Sequence, residues 1–214
     1  MLVLHGGTSV STRPTSPAQL AVLRMIPVAA AVGAALRGSA AVVRRHRFAM
    51  RGWNGPAASP AADLRRVLDE LAGAAGPPSV ILIGHSMGAR AALRVADHPL
   101  VTAVGGLAPW IPPDDPAVPL PGRQILLVHA SADRVTSPAD TWAYARQAGK
   151  SAAVTAIELR GGDHAMLRRG RLWHRLAAEF ARLAVGLPAA DDQIRRILAG
   201  AAGAISETGR PARL

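Results

Sequence analysis

Short segments rich in Val, Ile, Leu and Ala recur along the chain, at residues 1–4, 40–47, 80–83, 101–107, 124–130 and 153–159. Most run without polar alternation, the pattern of strands buried on both faces of a parallel sheet. Stretches of helical composition separate them, at residues 17–38, 61–73, 89–96, 138–149 and 171–185. Leu64, Val67, Leu68 and Leu71 share one face of the second of these, and Leu172, Leu176, Phe180 and Leu183 form a stripe on the last. In the first, Ser16 and Pro17 suit a helix start, while Pro27 predicts a kink, because it lacks an N–H and crowds the preceding turn. Strands alternating with helices predict the α/β class: a parallel sheet of about six strands with helices on both faces.

One junction carries more than packing. Val80 to Ile83 is an apolar run, and the segment from Ala89 is rich in Ala, Leu and Arg, which are good helix formers. Between them stands Gly84-His85-Ser86-Met87-Gly88, a G-x-S-x-G. A strand turning sharply into a helix holds its turn residue at positive φ and brings the flanking segments too close for side chains. Glycines two before and two after the serine remove that clash and leave the Ser86 hydroxyl at a helix N-terminus, where developing negative charge is favoured.

These residues resemble the nucleophile elbow of the α/β-hydrolase superfamily, and the resemblance continues along the chain. His5-Gly6-Gly7 after the first strand is similar to the family's His-Gly loop, which implies that the Gly7 N–H lines an oxyanion hole, with Thr8 as second choice. Met87, following the nucleophile, would give the other N–H. Arg51-Gly52-Trp53 resembles an active-site loop, so Trp53 either lines the substrate pocket or is buried as packing. Ser131-Ala132-Asp133-Arg134-Val135-Thr136-Ser137-Pro138 resembles the segment that carries the family's acid, implying Asp133, with Thr136 or Ser137 capping the next helix. Gly162-Asp163-His164 resembles the loop of its histidine, implying His164, with Asp163 holding the loop. Thr8, Trp53, His85 and Trp110 are the expected pocket residues. His46, His98, His129 and His174 fall within or at the ends of regular elements and are expected to be structural.

Two features depart from larger family members. The family has further strands before the one at residues 1–4, so the expected sheet is truncated at that edge, or the start lies upstream. The strand at 40–47 then becomes an outer edge, and Arg44, Arg45, His46 and Arg47 put there the charge that discourages pairing with another chain. The usual cap insertion point is only the proline-dense loop 108–122, which predicts an uncapped site with Trp110 as a candidate wall. Residues 1–187 are expected to form the hydrolase domain, and 188–214 a tail with one short helix and then disorder.

Composition narrows the reading further. With 214 residues, half of them hydrophobic, the chain suits one well-buried domain. There is no cysteine, which excludes disulfides and thiolate chemistry. The net charge of +11 is carried almost wholly by arginine, Lys150 being the only lysine. The arginines are scattered and aromatics are few, so a solvated basic surface is expected and no nucleic-acid partner. No basic leader precedes the first strand, and the apolar run 25–36 is far short of the roughly 20 residues a span needs; the expectation is a cytoplasmic protein with no membrane partner. The resemblance implies attack by Ser86 on a carboxylic ester or thioester, without metal or organic cofactor. A non-catalytic binding protein on the same fold is the alternative.

Overall fold

In the computed structural model, which describes residues 1–115 and 118–214, the apolar segments become the strands of one sheet. They are β1 (Leu2–Leu4), β2 (Arg44–His46), β3 (Val80–His85), β4 (Val101–Leu107), β5 (Gln124–Ala130), β6 (Ala153–Leu159) and β7 (Ala212–Arg213). Their order is β2-β1-β3-β4-β5-β6-β7, with every neighbouring pair parallel. The helices are α1 (Leu20–Leu23), α2 (Met25–Ala35), α3 (Ser59–Ala72), α4 (Met87–Arg94), α5 (Pro138–Ala148), α6 (Gly170–Ala184), α7 (Asp192–Ala201) and α8 (Ala204–Thr208).

The sheet is covered on both sides because its strands are apolar on both sides. Leu4, Leu82, Ile125 and Val154 pack with residues of α3, α4 and α5, while Val3, Ile83, Leu126 and Ile157 pack with α2, α6 and α7. Each such side chain contributes about 1.5–3 kcal/mol by leaving water. β2 lies outermost beside β1, the edge position expected of residues 40–47. β2 is shorter than residues 40–47, since β1 offers only three residues for pairing. It remains a charged edge strand.

Two further expectations are corrected and one, the sheet of about six strands, is refined. The helix predicted over 17–38 is broken at Arg24 into α1 and α2 rather than kinked. Pro27 thereby falls in the first turn of α2, where its missing N–H has no helical acceptor to lose. The sheet has seven strands, not six, and the seventh comes from the tail. That tail is ordered throughout α7, α8 and β7. Asp191 caps α7 through Ile194 N, Gly203 N donates to Val154 O, and β7 pairs with β6 at Ile157 and Glu158. Ile194, Leu198, Ala201 and Ile205 are buried, which offsets the entropy that composition alone suggested the segment would keep. Ile194→Ala is therefore expected to cost about 3 kcal/mol in urea unfolding. An unchanged midpoint would mean that the tail does not hold the fold.

Between β4 and β5 the described residues form no helix or strand, as their prolines require. Pro116 and Ala117, within that expected loop, lie outside the described residues. With all strands parallel, the loops after β1, β3, β5 and β6 emerge at one end of the sheet, where ligands bind in open α/β folds. No helix among the described residues is long and apolar enough to cross a membrane.

Candidate active site

β3 runs two residues past its apolar core, through Gly84 and His85, and α4 begins at Met87. Ser86 between them takes φ 54° and ψ −118°, a conformation costing about 1–3 kcal/mol that survives only where its surroundings enforce it. Its N–H donates to Leu107 O, and its carbonyl accepts from Ala89 N and Arg90 N, so the backbone is held from both sides. The flanking glycines are required sterically. A Cβ on Gly84 would stand 2.4 Å from Gly88 O and Ala89 N, and one on Gly88 2.5 Å from His5 O.

The three chemically reactive residues expected from the sequence meet here. Ser86 Oγ is 3.1 Å from His164 Nε2, and His164 Nδ1 is 2.8 Å from Asp133 Oδ2. Asp133 is an acceptor, so Nδ1 carries the proton and Nε2 is left to accept from Ser86. The Asp133 side chain is fully buried and saturated with donors. Oδ1 accepts from Val135 N and Thr136 N, while Oδ2 accepts from His164, Thr136 Oγ1 and also His129 Nε2. Burial pushes this carboxyl up, but the hydrogen bonds from His129, His164, Thr136 and Val135 outweigh it and hold the group well below the usual carboxylate range. His129 is the residue that reading the sequence missed. The signal was its spacing, four residues before Asp133 at the strand's end, but its place inside a strand made it look like packing.

The loop after β1 lies beside the elbow. His5 donates from Nδ1 to Gly6 O and accepts at Nε2 from Phe48 N, tying the loop to the chain after β2. A Cβ on Gly7 would stand 2.4 Å from Met87 Cε, so Gly7 and Met87 are neighbours. Neither Gly7 N–H nor Met87 N–H is used by an acceptor among the described residues. The Thr8 N–H is different. It donates to Arg51 O at 2.9 Å, which removes it as the second choice for an oxyanion donor.

The expected pocket residues divide. Thr8 is exposed, and Trp110 is partly buried, with its N–H on Ser86 O at 3.3 Å. Trp53 is 4% exposed and packs edge-on to Trp110, with the Arg90 guanidinium 3.8 Å from its ring centre and 4.6 Å from that of Trp110. Arg90 also donates to Asp115 Oδ2 at 2.6 Å, so the helix carrying the elbow clamps the loop after β4. His85 is buried rather than lining an opening. Its Nε2–H donates to His164 O at 2.8 Å, its ring lies 4.9 Å from that of His164, and its Nδ1 is buried without a partner. Asp163 holds the His164 loop by accepting from Leu167 N and Arg168 N. Among the described residues no cluster of three or more His, Asp or Glu could hold a metal ion.

Burial, helped by the nearby His164, lowers the His85 pKa to about 3. The unfolded chain protonates this ring below about 6.5 and the folded chain only below about 3, so between those values the unfolded state binds more protons. Stability is thus expected to fall as pH drops through that window, by roughly 4 kcal/mol from this group. In acid titrations followed by chemical unfolding, His85→Gln should flatten the slope. An identical slope in the variant would assign the loss elsewhere.

A family profile described as the alpha/beta hydrolase family matches residues 1–198. No curated protein matches the sequence. Several solved structures share the fold at low identity. An α/β serine hydrolase without lid from Xanthomonas campestris is 20% identical with a TM-score of 0.59, covering 89% of this chain and 84% of that one. An α/β serine hydrolase homologue from Coxiella burnetii is 19% identical with a TM-score of 0.59, covering 83% and 82%. Est1E from Butyrivibrio proteoclasticus with ferulic acid bound is 14% identical with a TM-score of 0.63, covering 86% and 89%. With the profile spanning nearly the whole length and the parallel sheet and elbow in place, the chain belongs to the alpha/beta hydrolase family.

Proposed function

We propose that this protein is a serine hydrolase that cleaves a small carboxylic ester or thioester through an acyl-enzyme. The observation that carries the reading is the continuous chain from Ser86 Oγ to His164 to the buried Asp133, seated on a strained elbow. His164 Nε2 takes the Ser86 proton as Oγ attacks the carbonyl carbon, and Asp133 stabilises the imidazolium that results. The free N–H groups of Gly7 and Met87 receive the oxyanion, each worth about 3 kcal/mol in the transition state. Imidazolium then protonates the leaving alcohol or thiol, and a water activated by His164 cleaves the acyl-serine.

A fluorophosphonate probe is expected to label the wild-type protein on Ser86, with labelling abolished in Ser86→Ala. No labelling of the wild type would reject the reading in favour of a binding protein, and labelling that persists in the variant would reject Ser86 as the nucleophile. In this reading the acyl side lies against Trp110 and the loop after β4 that Arg90 clamps, with no cap among the described residues. Short acyl chains are therefore expected to turn over faster than long ones across p-nitrophenyl esters and acyl-CoA thioesters, with little activation at lipid interfaces. A hydroxycinnamate ester belongs in that panel, given the ferulic acid held by the neighbour Est1E. A strong long-chain preference would mean that the clamp opens.

A further inference from the structure

We propose that His129 is a positioning residue of this site: it shares the Asp133 carboxylate with His164 and thereby sets how strongly that carboxylate holds the catalytic imidazole. The inference rests on the hydrolase reading above. His129 lies in β5 with its side chain fully buried. Its Nε2–H donates to Asp133 Oδ2 at 3.1 Å, the same oxygen that His164 Nδ1–H reaches at 2.8 Å. On its other side Nδ1 is 2.7 Å from Thr141 Oγ1 in α5, and a hydroxyl donating there fixes the ring proton on Nε2. Thr136 Oγ1 stands between the two rings, 3.3 Å from His129 Nε2 and 3.1 Å from His164 Nδ1, and donates to the same Oδ2.

The His129 ring is fully buried and meets Trp142 in a T-shaped contact, with 6.1 Å between ring centres. A buried imidazole costs desolvation that an aliphatic side chain avoids, and what it adds is a second N–H on Oδ2 of the triad carboxylate, beside that of His164. That donor has two effects. It locks the carboxylate in the orientation that faces His164, and it draws off part of the charge that would otherwise raise the basicity of His164.

The other groups around His164 stay fixed when His129 is changed. They are the neutral His85 from β3, Arg24 between α1 and α2, whose charge is felt at His85, and Asp163 in its own loop, occupied by backbone N–H groups. The experiment is the pH dependence of kcat and KM for p-nitrophenyl acetate in the full chain, comparing wild type, His129→Leu and His129→Gln. His129→Leu is expected to lower kcat about tenfold with KM held within about twofold, and to move the acid limb up by about one pH unit. His129→Gln, whose amide N–H reaches Asp133, should return the limb towards wild type. Should His129→Leu not fold, His129→Asn, too short to reach, takes its place with the same expectation. An unmoved acid limb in a folded, active Leu or Asn variant overturns the proposal, as does a Gln variant that shifts as far as Leu. A wild type inert towards both ester and fluorophosphonate overturns the hydrolase reading itself, and this inference with it.

Discussion

Ser86→Ala and His164→Ala are each expected to lower kcat by a factor on the order of 100,000, and combining them to cost little more than either alone. The reason lies in the geometry: the proton that Ser86 would lose on attack crosses one 3.1 Å contact, so removing either end stops the same event. Asp133→Asn is expected to cost less than either, with a loss on the order of 1,000-fold to 10,000-fold. Five donors converge on the carboxylate, and an amide NH2 in place of Oδ2 turns one acceptor into a donor facing His164, His129 and Thr136. The imidazole then takes the wrong tautomer. Steady-state turnover of an activated ester measures all three, with circular dichroism confirming the fold. Near-normal hydrolysis by His164→Ala would mean that a different base serves Ser86.

Gly88→Ala is expected to destabilise the protein by about 3 kcal/mol or more and to abolish fluorophosphonate labelling. The added methyl would stand 2.5 Å from His5 O and 2.8 Å from Leu4 O. Both are backbone atoms of β1 and the loop after it, so relief requires α4 to move off the sheet, taking Ser86 and the Met87 N–H with it. The contrast is Gly33→Ala in the interior of α2, where an added methyl meets nothing within 4 Å. There the gain in helix propensity is expected to stabilise the chain by about 1 kcal/mol. Thermal and urea unfolding of the pair test the argument; equal effects at the two positions would remove the steric account of the elbow.

The sequence was most legible where burial is two-sided. β4, β5 and β6 begin and end where the apolar runs at 101–107, 124–130 and 153–159 do, since strands covered on both faces have no freedom to alternate. Legibility fell where a partner decides. The length of β2 is limited by β1, and residues 192–213 become helices and a strand only because β6 and α6 offer apolar faces and open backbone groups. Ser86, Asp133 and His164 could be placed because motif loops tie residue type to backbone shape. Thr8, His85 and His129 could not be placed in the same way. Which hydrogen bond each makes depends on a residue 43, 79 or 4 positions away (Arg51, His164 or Asp133), and spacing alone does not reveal those distances in space.

The clamp on Arg90 gives the protein an optical handle. Two of its four tryptophans, Trp53 and Trp110, pack against one guanidinium and against each other, and the backbone N–H of Trp110 also reaches Ser86 O. Any event that shifts the loop after β4, whether acylation of Ser86 or entry of a bulky acyl group, must change the surroundings of both indoles together. Their intrinsic emission therefore follows the site in real time without an added label. Trp142 and Trp173, anchored in α5 and α6, serve as the constant background.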